Sequence, residues 1–217
     1  MFNLEQLDRM MAQWIELCER EKIPPLISFP VGEEILSAYQ SPQRYYHNLQ
    51  HISEMLKIAG KFNQQFHHRN EVFYAIWFHD IVYDPKAKNN EESSVEAMKN
   101  SLSPLGISEL SQQIIAELIL VTKHEKIPIP CDIDMAILLD ADLAILGAET
   151  WRYELYTQQI RQEYSFVDDA TYRQGRSDFL QKMLSRPWIF QTDRLRELGE
   201  PLARKNIQYE LDRLDRS

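Results

Sequence analysis

His79 and Asp80 close the apolar run Val72-Phe73-Tyr74-Ala75-Ile76-Trp77-Phe78, where a buried element would otherwise carry only hydrocarbon. A carboxylate or imidazole in such a place costs free energy unless it meets a structural partner or a bound cation. Two further stretches supply matching groups: Tyr46-His47-Asn48-Leu49-Gln50-His51 upstream, and Asp140-Ala141-Asp142 downstream, between Ile137-Leu138-Leu139 and Ile145-Leu146. Three apolar segments, each interrupted by residues of metal-ligand type, point to one buried metal site assembled from distant parts of the chain. Imidazole and carboxylate without thiolate form a mixed N/O donor set suited to Mn, Fe, Co, Ni or Zn. A cation so held lowers the pKa of a bound water towards about 7.

Spacing assigns provisional places. His47 and His51 are four residues apart and share one face if a helix covers both. A lone histidine there would read as a core-edge residue bonded to a carbonyl; two, preceded by Tyr45-Tyr46, read as a site. On a helix, His79 and Asp80 point about 100° apart, so both reach one cation, or the carboxylate bridges two. Asp142 has Leu138, Leu139, Ile145 and Leu146 at helical neighbour positions, whereas Asp140 has Ala136, Ile137, Leu143 and Ala144. That count makes Asp142 the more interior and the expected ligand, with Asp140 as its support or substitute. Exposure at a helix end, or a salt bridge, is the competing reading of both.

The elements that must position these groups read as helices. Leu4, Leu7, Met11, Trp14 and Ile15 form an apolar stripe at helical spacing, broken by Pro24, Pro25 and Pro30. A short helix is expected over 33–39, a longer one over about 44–62, and another over 71–83, stopping at Asp84-Pro85 because a pre-proline residue disfavours the helical region. Further helices are expected over 91–102 and 108–124, with Ser108 as cap. Pro128 and Pro130 make a stiff loop. Asp132 caps the helix that carries Asp140 and Asp142, and Gly147 ends it in a C-cap position. Helices over 150–164, 168–185 and 193–214, with a start or kink at Pro201, complete the chain. No run alternates with period two for long enough to demand a sheet. The expectation is an all-α, single-domain helical bundle over residues 1–217, with a metal-site core over about 44–147 and C-terminal helices over 150–215.

At 217 residues the chain can bury a substantial core, and 44% hydrophobic with 26% charged residues is ordinary for a globular protein. A net charge of −9 argues against an extended nucleic-acid surface, while leaving room for a local basic pocket. Cys18 and Cys131 have no CxxC spacing and fit a reducing compartment. No basic start with an apolar run is visible, and no stretch approaches the roughly 20 apolar residues of a membrane span. A cytoplasmic protein is expected, with no membrane and room for a homo-oligomer.

The order His51, His79-Asp80, Asp142 resembles the H…HD…D signature of the HD-domain superfamily of metal-dependent phosphohydrolases. Tyr46-His47-Asn48-x-x-His51 is similar to a motif of cyclic-nucleotide phosphodiesterases, and Ala141-Asp142-Leu143-Ala144 to their A-D-L-S segment. The whole chain also resembles a small bacterial group of HD-type phosphohydrolases. That likeness rests on Phe78-His79-Asp80, Asn90-Glu91-Glu92-Ser93-Ser94, Leu139 to Gly147, Arg186 to Phe190 and Ala203 to Asn206. The resemblance implies an HD-like helical fold. It implies His51, His79, Asp80 and Asp142 as metal ligands, His47 as proton donor to the leaving oxygen, and Asp80 as a second catalytic group.

Superfamily members that hold two metals add further histidines. Here Asn90, Glu91 and Glu92 occupy the region of one, and His124 is the remaining later candidate, equally readable as a partner of a helix C-terminus. With Asp140 they are the candidates for a second cation, Mg among the choices. His67 and His68 read as exposed. Arg44 and Lys123 are the candidates for holding phosphate. The implied function is hydrolysis of a phosphomonoester, phosphodiester or pyrophosphate bond, with nucleotides among the candidate substrates. A metal or nucleotide sensor without turnover is the alternative. A helical interaction module without metal is a third class, which would leave His51, His79, Asp80 and Asp142 unexplained.

Overall fold

Helices begin where side chains satisfy their first backbone N–H groups. The computed structural model describes residues 2–62, 64–123 and 131–216, and among these the chain is all-α, with no strand. The loop expected at Pro128 and Pro130 lies outside the described residues. Helix α1 (Leu4–Arg20) starts on a reciprocal capping box between Asn3 and Gln6. Helix α2 (Pro25–Tyr39) corrects the expected short helix: Pro25 sits at its first position and Pro30 is carried inside it. Gly32 explains how α2 lies against α1, since a Cβ there would stand 2.6 Å from the Trp14 ring.

Helix α3 (Leu49–Ala59) is capped by Asn48 and runs into a 3-10 turn, Gly60–Phe62. Helix α4 (Arg69–Phe78) buries Val72 and every residue from Tyr74 to Phe78, the pattern of a helix surrounded by others. Trp14 meets Tyr74, Trp77 and Phe78 edge-on, at centroid distances of 5.8, 6.0 and 6.1 Å, and donates its indole N–H to the Ser28 carbonyl at 2.8 Å. Truncating a core aromatic of this kind costs about 3–5 kcal/mol. Helices α5 (Asn90–Leu102) and α6 (Glu109–Val121, capped by Ser108) pack on each other and on α4. Helix α7 (Ile133–Leu143) follows, with Asp132 Oδ1 accepting from the Asp134 amide at 2.8 Å.

By their contacts the residues form two compact units, one up to Leu138 and one from Leu139 onwards. The first includes α1 and α2 as well as the expected site-bearing helices, and the boundary falls inside α7.

In the second unit a 3-10 turn, Ala144–Gly147, leads to α8 (Thr150–Glu163), α9 (Asp169–Ser185), α10 (Asp193–Leu198) and α11 (Glu200–Leu214). Pro201 stands at the start of α11, as a helix tolerates it. Gly147 is a correction: it is not the C-cap of α7, which ends four residues earlier. Its hydrogen is needed because a Cβ would stand 2.9 Å from the Gly199 carbonyl oxygen. Asn206 locks this approach by donating to the carbonyls of Leu146 and Ala148 at 2.9 and 2.8 Å. No helix among the described residues is long and apolar enough to cross a membrane.

Candidate metal centre

The first unit brings three of the expected residues together. His51 lies on the first turn of α3, His79 caps the C-terminus of α4, and both are buried. Their Nε2 atoms are 3.2 Å apart. Asp80, half-buried in the turn after α4, places Oδ2 3.1 Å from His79 Nε2. The other ring nitrogen of His79, Nδ1, is 3.0 Å from the Ile76 carbonyl oxygen. A carbonyl only accepts, so this contact puts a proton on Nδ1 and leaves Nε2 carrying the lone pair in the neutral ring. A nitrogen lone pair and a carboxylate oxygen then face each other in a site where water is scarce. A proton shared across this contact, or a cation among the three groups, would relieve it. Ligands about 2.1 Å from one cation lie roughly 3.0–3.4 Å from each other, and the observed 3.1 and 3.2 Å separations fit that spacing. The donor chemistry therefore suits a divalent transition metal.

His47 is placed differently from its expectation. Asn48 is the N-cap of α3, extended at φ −125°, ψ −172°, with its side chain accepting from the Gln50 amide at 2.8 Å. His47 therefore precedes the helix and shares no helical face with His51. Its half-buried ring instead stacks on Tyr83, 4.3 Å between centroids and 28° between planes. Helix α4 likewise ends at Phe78 rather than Tyr83, so Asp80 sits in a turn and the 100° argument does not apply. Tertiary bonds end the helix early. Arg44 takes the carbonyls of Asp80 and Ile81, and Ser94 both accepts from the Val82 amide and donates to its carbonyl. Asn90 braces the same segment, bonded both ways to the Asp84 backbone. The Asn90-to-Ser94 stretch thus contributes bracing through Asn90 and Ser94.

Arg44 and Lys123, the expected phosphate-holding cations, are both engaged with the protein itself. Arg44 Nη1 donates to the carbonyls of His47 at 3.2 Å and Asp80 at 2.6 Å, and Nη2 to that of Ile81 at 2.8 Å. Its guanidinium lies over the rings of Tyr39 and Tyr83, at 4.9 and 5.6 Å. Lys123 is 2.5 Å from Glu92 and 3.7 Å from Glu91. This lysine holds the exposed Glu92 carboxyl below its ordinary range. Glu91 and Glu92, considered for a second cation, are thus tied to an ammonium group. His124 lies outside the described residues.

The two aspartates of α7 belong to the second unit, and here the burial count misleads. Asp140, not Asp142, is the fully buried one. Asp140 Oδ1 accepts from the Gln191 amide at 2.5 Å, and Oδ2 from the Thr192 amide and hydroxyl at 2.8 and 2.6 Å. Burial pushes its carboxyl up to about 6, against the pull of these donors. Both oxygens of Asp140 are spent on holding residues 191–192, a structural role. Asp142 is half-buried near the end of α7, and its charge adds a small upward push to the phenol of Tyr156, whose dominant cause is burial.

One further group of ligand-type residues was not singled out by the sequence: His67, Asp132 and Asp134, with potential donor atoms within 4.8 Å of one another. Helix capping accounts for its carboxylates. Asp134 accepts from the His67 and His68 amides at 3.0 and 2.7 Å, at the start of α4, and Asp132 begins α7. The rings of His67 and His68 are largely exposed, as expected. Tyr83, the stacking partner of His47, gave no sequence signal beyond being aromatic.

Comparison with known proteins adds no relative: no protein-family model, no curated protein and no solved structure matches the chain.

Proposed function

We propose that the chain is a metal-dependent phosphohydrolase of the HD type, with His51, His79 and Asp80 as ligands. The observation that carries the reading is the Nδ1 contact of His79 with Ile76, which leaves its Nε2 lone pair facing His51 and Asp80 in a buried place. Such oriented histidines are the habit of metal sites, where the second ring nitrogen is bonded to a carbonyl or carboxylate. When bound, the cation supplies an activated water and neutralises charge on the phosphoryl oxygens.

The chain's own residues do the rest. Asp80, beside His79, accepts the proton of the attacking water, a role suited to a half-buried carboxylate. His47, held flat against Tyr83, donates a proton to the departing oxygen. Trp77, Phe78 and Leu49 are buried around the two ligand histidines' helices and keep the site dry, which strengthens each electrostatic interaction within it.

One observation favours the sensor reading instead. Arg44 and Lys123 are both committed to protein groups, and neither is set aside for a phosphate. The experiment that decides is a metal-stripped protein reloaded with Mn, Fe, Co, Ni or Zn and assayed for phosphate release from monoesters, diesters and pyrophosphates, nucleotides included. The enzyme reading expects metal-dependent release from at least one class, lost in His51→Ala. Metal uptake without release from any class favours the sensor, and no uptake at all defeats both.

A further inference from the structure

Three carbonyl oxygens from two distant segments converge on one guanidinium at this centre. Arg44 binds the carbonyl of His47 on the loop before α3, and the carbonyls of Asp80 and Ile81 in the turn after α4. A carbonyl just past a helix C-terminus has no helical donor to satisfy it, and the helix dipole makes that end negative, so a cation suits it. Tyr39 and Tyr83 lie against the guanidinium, and Tyr83 carries the His47 ring in turn. Tyr39 is itself fixed through its hydroxyl, which donates to the Trp77 carbonyl at 3.0 Å, two residues before His79. Among the described residues no carboxylate pairs with Arg44: its bonds go to carbonyls and its guanidinium lies against rings.

We propose that Arg44 is a positioning residue of the candidate centre, clamping the backbone of His47 to that of Asp80 so that the proton donor keeps its place near His51 and the carboxylate its place beside His79. The inference rests on the reading of the centre given above. It replaces the phosphate-holding role expected for Arg44 from its charge. The geometry suits arginine: Nη1 bridges the His47 and Asp80 carbonyls, the coplanar Nη2 adds that of Ile81, and the flat cation lies against two aromatic rings, a combination that a single lysine ammonium does not reproduce.

Arg44→Lys is the discriminating variant, because it keeps the charge and loses the fork. The measurements are Mn2+ affinity by calorimetry, the imidazole NMR signals of His47, His51 and His79 in metal-free protein, and the melting temperature. The clamp predicts Mn2+ affinity weakened about 10–100-fold, the range for residues that orient metal ligands. It also predicts displaced imidazole signals in the metal-free protein, and partial return of Mn2+ affinity when a low concentration of guanidinium ion is added to Arg44→Ala. Unchanged Mn2+ affinity and unchanged imidazole signals overturn it, whatever the melting temperature does. So does unchanged Mn2+ affinity with weakened binding of inorganic phosphate, which would return Arg44 to its expected role. If the wild-type protein takes up no Mn2+, the metal reading has failed, and the imidazole signals of metal-free Arg44→Lys still decide the clamp. Should Arg44→Lys not fold, Tyr83→Leu removes one face of the sandwich. A smaller loss of affinity in the same direction supports the clamp, and none overturns it.

Discussion

Each unit buries a polar cluster, and the two clusters are built in opposite ways. In the second unit's clusters around Glu210 and Glu200, donor meets acceptor. Arg176 forks onto Glu210 at 2.8 and 3.1 Å and donates to Tyr156 at 3.0 Å, while Tyr153 donates to the same Glu210 at 2.5 Å. Glu200 accepts from the Ile189 and Phe190 amides and from Arg204. In the first unit, the Nε2 atoms of His51 and His79 face each other and a carboxylate oxygen. The closed networks belong to structure: they position α9, α11 and the loop before α10. A buried cluster of two imidazoles and a carboxylate is where a cation has something to gain. Complementarity, rather than burial, separates the two.

Changing His47 should have the largest consequence if the open cluster is catalytic. His47→Ala is expected to retain the metal and lose turnover by roughly 10²–10⁴-fold. The loss should shrink for a nitrophenyl ester, whose leaving group needs no proton. Metal loss as complete as in His51→Ala would make His47 a ligand instead.

The closed network is next. Arg176→Met leaves Glu210 buried without its cation and should cost about 3–5 kcal/mol in chemical denaturation, while Arg176→Met with Glu210→Leu should recover most of it. The same logic run on the open cluster gives the reverse result. His51→Leu, measured without metal, should melt no lower than metal-free wild type, because it replaces a buried imidazole facing another imidazole with hydrocarbon. A large loss there would make the first unit's cluster as structural as the second's.

Asp140 tests the division within α7. Asp140→Asn puts an amide NH2 against donors at Gln191 or Thr192 and is expected to cost about 1–3 kcal/mol in the denaturation midpoint. Metal affinity should fall far less than in His51→Ala. The smallest effect is a control far from both clusters: Ser108→Ala removes the cap that accepts from the Ser111 amide at 3.1 Å, at about 1 kcal/mol of stability. Metal binding should be untouched.

Much of this was legible in the amino-acid pattern. Apolar spacing located the helices, and the caps at Ser108, Asp132 and Asp168 lie where Ser and Asp precede a periodic run. That the 46–51 stretch shares a site with His79-Asp80 followed from ligand types set in apolar text, while the choice of His51 over His47 came from the resemblance. The details that escaped are tertiary. Helical spacing put His47 on α3, but the Asn48 cap bars the helix from reaching it. Helix α4 was expected to run to the proline, but Arg44 and Ser94 claim the backbone before that. Counting neighbours along α7 favoured Asp142 as the interior residue, yet Asp140 is buried under residues 191–192, some fifty positions on. Gly147 read as a cap, and its reason is the backbone of Gly199. Each miss involves a partner remote in sequence, which local periodicity does not encode.

The central claim is that lone pairs of His51, His79 and Asp80 converge on a place for a cation. The most direct test is titration of metal-free protein with Co2+, followed by its visible absorption and by calorimetry, beside His79→Leu. The account predicts saturable binding with a ligand-field spectrum in the wild type, and loss of both in the variant. A wild type with no saturable spectrum, or a His79→Leu variant that matches it, would contradict the account.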